Sequence, residues 1–170
     1  MKNFVPSVKK LHDSFFHFVS YAQTPFLLCV RLYWGWQLIE SGWGKLHNLD
    51  KVTEFFTSLG LPMPGATAVF ISSLELFGGI LLALGLFSRV ISLMLTVNLF
   101  VAYITSDREA LLSIFSDPDK FMAAAPFTFL WASLLVLIFG AGKISADALL
   151  GRWLFPADAP GTRSASNDRA

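Results

Sequence analysis

The sequence predicts an all-α integral membrane protein, a bundle of four transmembrane helices preceded by an N-terminal amphipathic helix at the membrane interface. Hydrophobic residues make up 54% of the 170 residues and charged residues only 15%, which is more apolar than ordinary soluble domains. The apolar residues also collect in four runs, and about 20 residues of helix cross ~30 Å of hydrocarbon. A soluble all-helical protein is the alternative, but so short a chain has little room to bury such runs.

The first element is the N-terminal segment, residues 1–23, which we predict to be a cytoplasmic, interfacial helix. Its apolar residues recur at helical spacing, namely Val8, Leu11, Phe15, Phe18 and Val19. This pattern favours a helix lying in the membrane interface, with a solvent-exposed basic tail as the alternative. The basic start resembles that of a signal peptide, but the apolar run begins late and lacks a small-residue cleavage site, so we expect no cleavage.

The four apolar runs follow within residues 24–150, which we predict to form one transmembrane domain. Proline and glycine breakers separate the runs. The predicted spans are residues 25–46, 66–87, 90–105 and 121–142. Thr24 is the predicted N-cap of the first span, with Pro25 at its first helical position. Residues 151–170 are small, polar and rich in proline and glycine near the end, and we predict a disordered cytoplasmic tail.

The distribution of basic residues predicts the orientation. Eight lysines and arginines lie in the two terminal segments and the second loop. Four lie on the other side, namely Lys51, Arg108 and Lys120 in the first and third loops and Lys45 at the end of the first span. Cytoplasmic segments carry the excess of positive charge in membrane proteins. Both the N-terminus and the C-terminus are therefore expected in the cytoplasm.

The first span carries charges on a face of small residues. Arg31, Gly35, Gly42 and Lys45 recur at helical spacing. A charge at the centre of a bilayer costs about 2.5 to 3.5 kcal/mol, so it should face protein or water. Small residues let a neighbouring helix approach closely. We therefore predict that this face packs into the bundle.

The second and third spans complete the predicted polar centre. Glu75 shares a helix face with Gly78 and Gly79, and Asn98 is the polar residue of the third span. A helical rise of about 1.5 Å per residue places the Cα atoms of Arg31 and Glu75 at depths about 7 Å apart. The two side chains can close that gap, so we predict a buried ion pair between Arg31 and Glu75.

A second face of the first span holds Glu40 beside aromatic residues. Tryptophan rings settle at the level of lipid headgroups, which favours an interfacial position for this face. Glu40 and Lys45 are then either solvated interface groups or the mouth of a site that opens outward. Trp34 and Trp36 are further candidates for the polar centre or a ligand site.

Several chemistries are excluded by what the chain lacks. Its single cysteine, Cys29, cannot cycle a disulfide by itself. The three histidines, His12, His17 and His47, lie outside the predicted spans, so no histidine is placed to ligate haem within a helix. The sequence contains no phosphate loop, nucleophile elbow or metal-ligand spacing, and a net charge of +1 argues against nucleic acid as a partner. We expect no metal and no self-sufficient catalytic motif.

Four short motifs occur in an order that resembles the DoxX family. They are R-x3-G-x6-G-x2-K-L from Arg31, LGLPMP from Leu59, LELFGGILLALGLFSR ending at Arg89, and GAGKISAD ending at Asp147. The resemblance covers residues 24–150. It implies a multi-pass protein of the bacterial inner membrane with four transmembrane helices, since the family consists of such proteins and its relatives include the small subunit of thiosulfate:quinone oxidoreductase. It also implies a membrane-embedded partner in redox or sulfur-linked chemistry, with quinone as the candidate cofactor.

Two functions follow as hypotheses. The first is a membrane subunit or partner of a quinone-linked redox system, in sulfur, thiol or oxidative-stress chemistry. It requires a redox protein partner, because the chain carries no evident electron carrier. The alternative is a non-enzymatic membrane scaffold or a small-molecule conduit. In both cases the lipid bilayer is a partner, and a second copy of the chain is a further candidate partner.

Overall fold

The computed structural model describes residues 4–154, which form eight α-helices and no strand. The all-α prediction is therefore confirmed for this part of the chain. The helices are α1 Phe4–Leu46, α2 Leu49–Ser58, α3 Pro64–Leu84, α4 Ser88–Thr105, α5 Arg108–Leu112, α6 Pro118–Ala123, α7 Ala125–Phe139 and α8 Ala146–Leu154. Residues 155–170, which hold most of the predicted tail, lie outside the described residues, as do residues 1–3.

Four helices pack in a ring, because α1 contacts α3, α3 contacts α4, α4 contacts α7, and α7 contacts α1. Neighbouring members α1 and α3 run antiparallel, since Gly35 meets Gly79 whereas Gly42, further along α1, meets the earlier residue Leu76. The apolar core between them consists of Leu38, Leu82, Leu95, Leu99 and Val136. We call the end of the ring that holds α2, α5 and α6 the Lys45 end, and the end that holds the α3–α4 turn and α8 the Arg31 end.

The ring places hydroxyl-bearing residues inside and large apolar residues outside. Ser72, Ser92 and Ser133 are fully buried, whereas Phe77 is 60% exposed and Trp131 is 59% exposed. A water-soluble protein buries its large apolar side chains, and a lipid solvent removes that requirement. Two of the described helices, α3 and α4, are long and apolar enough to cross a membrane, and α7 is a shorter apolar helix.

The first helix differs from its prediction. It is continuous over 43 residues and contains Pro25 in its interior, so the predicted N-cap at Thr24 is wrong. Proline removes one backbone donor from a helix, whereas a break would leave up to four N–H groups at the new N-terminus without helical partners. Continuing the helix therefore loses fewer hydrogen bonds than ending it.

Other helix boundaries also differ from the predicted ones. The predicted fourth span, 121–142, is divided between the short helix α6 and the 15-residue helix α7. Pro126 lies in the first turn of α7, where its missing N–H would lack a helical partner in any case. In addition, α8 continues to Leu154, so residues 151–154 are helical rather than the start of a disordered tail.

Candidate functional site

A cavity of about 490 Å³ lies inside the Lys45 end of the ring. Its walls come from α1, α2, α3, α4 and α7 and are mostly apolar. A few polar side chains converge on it, and the ones that lie on the helices of the ring are Ser41, Lys45, Glu75, Asn98 and Thr105. A mostly apolar cavity with a few converging polar groups is typical of sites for small organic ligands.

Glu75 is the buried acid of this cavity, with 5% of its surface exposed. Lys45 Nζ donates hydrogen bonds to Glu75 Oε1 at 2.5 Å and to Oε2 at 2.6 Å. Ser41 Oγ donates to Oε2 at 2.9 Å. Ser41 and Lys45 lie one turn apart on α1, so both face α3. The carboxylate charge is therefore compensated from a single helix face.

Close approach of α1 and α3 sets this geometry. A Cβ atom at Gly42 would overlap the backbone of Leu76. Near the middle of the ring, a Cβ at Gly35 would lie 2.9 Å from the carbonyl oxygen of Gly79, and one at Gly79 would lie 2.8 Å from that of Gly35. Gly78 faces α4 instead. Glycine lets the two backbones pack directly against each other, which brings the last turn of α1 to Glu75.

Helix α2 forms one wall of the cavity, and the sequence analysis did not predict it. It packs on α3, and its buried residue is Phe56. The signal was present in the first loop, where Leu49, Val52 and Phe56 recur at helical spacing. Phe55 on α2 and Val101 on α4 line the cavity but are 48% and 42% exposed. Both therefore lie where the cavity wall meets the outer surface of the protein.

Asn98 lines the same cavity from α4. Its half-buried side chain has no hydrogen-bond partner among the described residues. An amide offers two donors and one acceptor oxygen. Asn98 is thus free to bind a ligand in the space that Lys45 and Glu75 also face.

The predicted pair between Arg31 and Glu75 is wrong. Arg31 lies at the other end of the ring, 1% exposed, and its Nη2 donates to the carbonyl oxygen of Ile144 at 2.6 Å. Fourteen residues separate Arg31 from Lys45, which is about 21 Å of helix. The predicted depths of Arg31 and Glu75 were counted from the predicted ends of their spans. The packing of Gly42 on Leu76 instead sets Glu75 level with Lys45.

The Arg31 end is organised by Asp147. Its carboxylate accepts the N–H groups of Phe87 at 2.7 Å and of Ser88 at 2.9 Å, which caps the start of α4. It also attracts the Arg31 guanidinium electrostatically. Arg89 is exposed and lies beside Gly140. These charges hold the loop after α7 against the α3–α4 turn and lie away from the cavity.

The remaining candidates do not reach the cavity. Glu40 is exposed, and Trp36 is 65% exposed. Trp34 packs edge-on against Phe129, with ring centroids 5.3 Å apart. The structure therefore brings together Lys45, Glu75 and Asn98 and leaves the two tryptophans outside. Among the described residues, no group of three or more His, Cys, Asp or Glu is placed to hold a metal ion.

Comparison with known proteins agrees with the resemblance seen in the motifs. The model of the DoxX family matches residues 26–108, a segment that contains Lys45, Glu75 and Asn98. A relative from Bacillus subtilis (strain 168), named "Putative oxidoreductase CatD", is 30% identical over 103 residues, which is 61% of this chain and 69% of the relative. No solved structure matches the chain significantly.

Proposed function

Because the chain belongs to the DoxX family of membrane proteins, we propose that it is a membrane subunit or partner of a quinone-linked redox system. The chemistry served is that of sulfur compounds, thiols or oxidative stress. The observation that carries the proposal is the cavity in which Lys45, Glu75 and Asn98 meet. The name of the Bacillus relative supports the redox part of the proposal.

The residues present fit a quinone head group. The cavity volume, about 490 Å³, lies in the range of roughly 300 to 1,000 Å³ that is usual for small-molecule sites. A quinone ring carries two carbonyl oxygens, which need donors, and a flat apolar body, which suits walls such as Leu38 and Leu99. Lys45 and Asn98 are two of the donors that line the cavity. When bound, quinone would accept or release two electrons and two protons.

Each polar residue has a separate task in this proposal. The Lys45 ammonium has three N–H donors and donates to the Glu75 carboxylate. In this proposal Lys45 directs a remaining N–H to a ligand oxygen. Glu75 keeps Lys45 charged in apolar surroundings and holds it in place together with Ser41. Asn98 orients the ligand from α4. In this proposal a protein partner supplies the electrons.

The route of entry is lateral. We place the entry beside Phe55 and Val101, where the cavity wall meets the outer surface and an apolar tail would meet lipid. In this proposal all four helices of the ring cross the bacterial inner membrane, with both termini in the cytoplasm. The exposed phenylalanines and tryptophan of the ring support it, because they suit hydrocarbon. The Lys45 end then faces outward.

The topology has its own test. The chain has one cysteine, so a Cys29→Ser background accepts single probes. Lys120→Cys at the Lys45 end and Arg152→Cys at the Arg31 end are labelled in intact cells with a membrane-impermeant maleimide. Labelling of residue 120 alone is expected. Labelling of residue 152 alone would show the opposite orientation and contradict the proposed one.

The ligand is tested by purifying the protein in mild detergent and quantifying extracted quinone by mass spectrometry. Wild type is expected to retain quinone near one per chain. Asn98→Leu removes a donor but leaves the ion pair intact, and should lose the quinone. Glu40→Gln, outside the cavity, is the matched control and should keep it. Wild type without quinone, and without a quinone-dependent rise in thermal stability, would contradict the proposal.

A scaffold or small-molecule conduit is the second candidate. The observation that favours a scaffold is that Glu75 is fully compensated within the chain, by Lys45 and Ser41. Such a pair can serve packing alone. Recovery of a fixed protein partner from wild type and from Asn98→Leu alike, with no quinone in either, would favour the scaffold.

A further inference from the structure

A second pocket, of about 450 Å³, lies at the Arg31 end of the ring, far from the Lys45–Glu75 cavity. One wall is the part of α1 that precedes Arg31, and the other is the chain around and after the end of α7. The lining residues are Ser20, Gln23, Thr24, Leu27, Phe139, Gly142, Lys143 and Ala148. We call it the Lys143 pocket.

Half of this lining is polar and unengaged. Ser20, Gln23 and Thr24 recur at helical spacing on one face of α1, opposite Lys143. Within the part of the chain that the structure describes, none of these four side chains has a hydrogen-bond or ion-pair partner. The lining includes one cation and no acid. These groups together offer donors to an anion that has several acceptor oxygens.

Two apolar residues of the lining, Leu27 and Phe139, lie nearer the middle of the ring. Leu27 is almost fully buried at the base of the pocket, and Phe139 is the last residue of α7. Polar groups at the outer side and apolar groups at the inner side match a molecule with a charged head and an apolar tail.

The surroundings of the pocket are positively charged and suited to a membrane surface. Arg89, Lys143 and Arg152 are exposed at this end. At this end the Asp147 carboxylate already accepts hydrogen bonds from two backbone N–H groups. Beside the pocket, α8 exposes Trp153 at 80%, and tryptophan prefers the level of lipid headgroups.

We infer that the Lys143 pocket binds the phosphate of an anionic phospholipid, with Lys143 as its cation and Gln23, Thr24 and Ser20 as hydrogen-bond donors. Basic pockets between membrane helices at the positively charged side are a recurring form of lipid site. The acyl chains pass Leu27 and Phe139 into the bilayer. This site is independent of any ligand in the Lys45–Glu75 cavity.

The test counts lipids retained by the purified full-length protein in native mass spectrometry, after titration with dioleoylphosphatidylglycerol or dioleoylphosphatidylcholine. Wild type is expected to retain phosphatidylglycerol preferentially. Lys143→Gln should weaken that retention about fivefold, as expected for one cation beside an anionic lipid. Arg152→Gln makes the same change of charge on α8 outside the pocket, and should leave retention within about twofold of wild type.

A second variant removes donors without changing charge. Gln23→Leu combined with Thr24→Val should also weaken retention, and thermal unfolding in lipid-free detergent checks that each variant is folded. Equal losses in Lys143→Gln and Arg152→Gln would show a general effect of surface charge and overturn the inference. Equal retention of the two lipids would do the same, as would displacement of phosphatidylglycerol by millimolar inorganic phosphate, since the pocket would then take a free anion.

Discussion

Lys45 Nζ donates to both carboxylate oxygens of Glu75, which joins the last turn of α1 to the middle of α3. The lysine side chain is 35% exposed and the glutamate side chain 6% exposed. The contact is therefore intermediate between a surface ion pair and a fully buried one. It is both the polar centre of the candidate site and a link between the two helices that pack most closely.

Removing one member of the pair should cost more than removing both. Glu75→Gln or Lys45→Met alone should lower the free energy of unfolding by more than the ~1 kcal/mol of an exposed pair and less than the ~3 to 5 kcal/mol of a buried one. The double variant should recover part of that loss. Chemical unfolding in detergent measures the coupling. Additive effects would contradict the ion pair.

Arg31→Met should show no coupling to Glu75→Gln. Arg31 contacts Ile144 at the other end of the ring, and residues more than about 7–10 Å apart without shared partners act additively within about 0.3 to 0.5 kcal/mol. Unfolding of the two single variants and the double variant tests this. A coupling well above that limit would restore the pair that the sequence predicted.

Alanine substitutions at two glycines of α1 should change the stability of the protein in opposite directions. Gly42→Ala places a methyl group on the backbone of Leu76, whereas the same methyl at Gly44 meets no atom within 4 Å. Gly44→Ala should stabilise the helix by about 0.5 to 1 kcal/mol. Gly42→Ala should be destabilising and should weaken quinone retention by separating α1 from α3. Thermal unfolding of both variants provides the comparison. Similar shifts would contradict the close approach.

Gly85→Ala should destabilise the protein through Arg31. Gly85 has φ +71, and a Cβ atom added there would overlap Arg31 Nη1. Gly60, with φ +70 and open space around it, is the matched control, since Gly60→Ala carries only the backbone strain of about 1 kcal/mol. The unfolding free energy of Gly85→Ala should fall further than that of Gly60→Ala. Equal losses would mean that Arg31 moves aside without cost.

Asp147→Ala should loosen the start of α4. The carboxylate caps Phe87 and Ser88, and loss of a helix cap costs about 0.5 to 2 kcal/mol. Hydrogen exchange of these two amides should accelerate. Asp119→Ala, an exposed acid on α6, should leave them unchanged. Unaltered exchange in Asp147→Ala would contradict the capping role.

Part of this fold could be predicted because it depends on local sequence. The helices α3 and α4 lie close to the predicted spans 66–87 and 90–105, since long apolar runs between proline and glycine breakers specify both the length and the ends of a helix. The predictions that failed concern weaker local signals. Pro25 is compatible with either a helix start or a helix interior, and the continuous helix is favoured because a break would lose more backbone hydrogen bonds.

The sequence by itself determined that the chain is helical and apolar, that it belongs to its family, and that polar residues would share faces with glycines. The helical, apolar character and the shared faces follow from composition and from spacing within one helix, and family membership follows from the match of residues 26–108 to the family model. Only the tertiary structure decided that Glu75 meets Lys45 rather than Arg31, and that α2 walls the cavity. Such pairings depend on how far one helix slides along another, and that register is set by the contact of Gly42 with Leu76 across the α1–α3 interface.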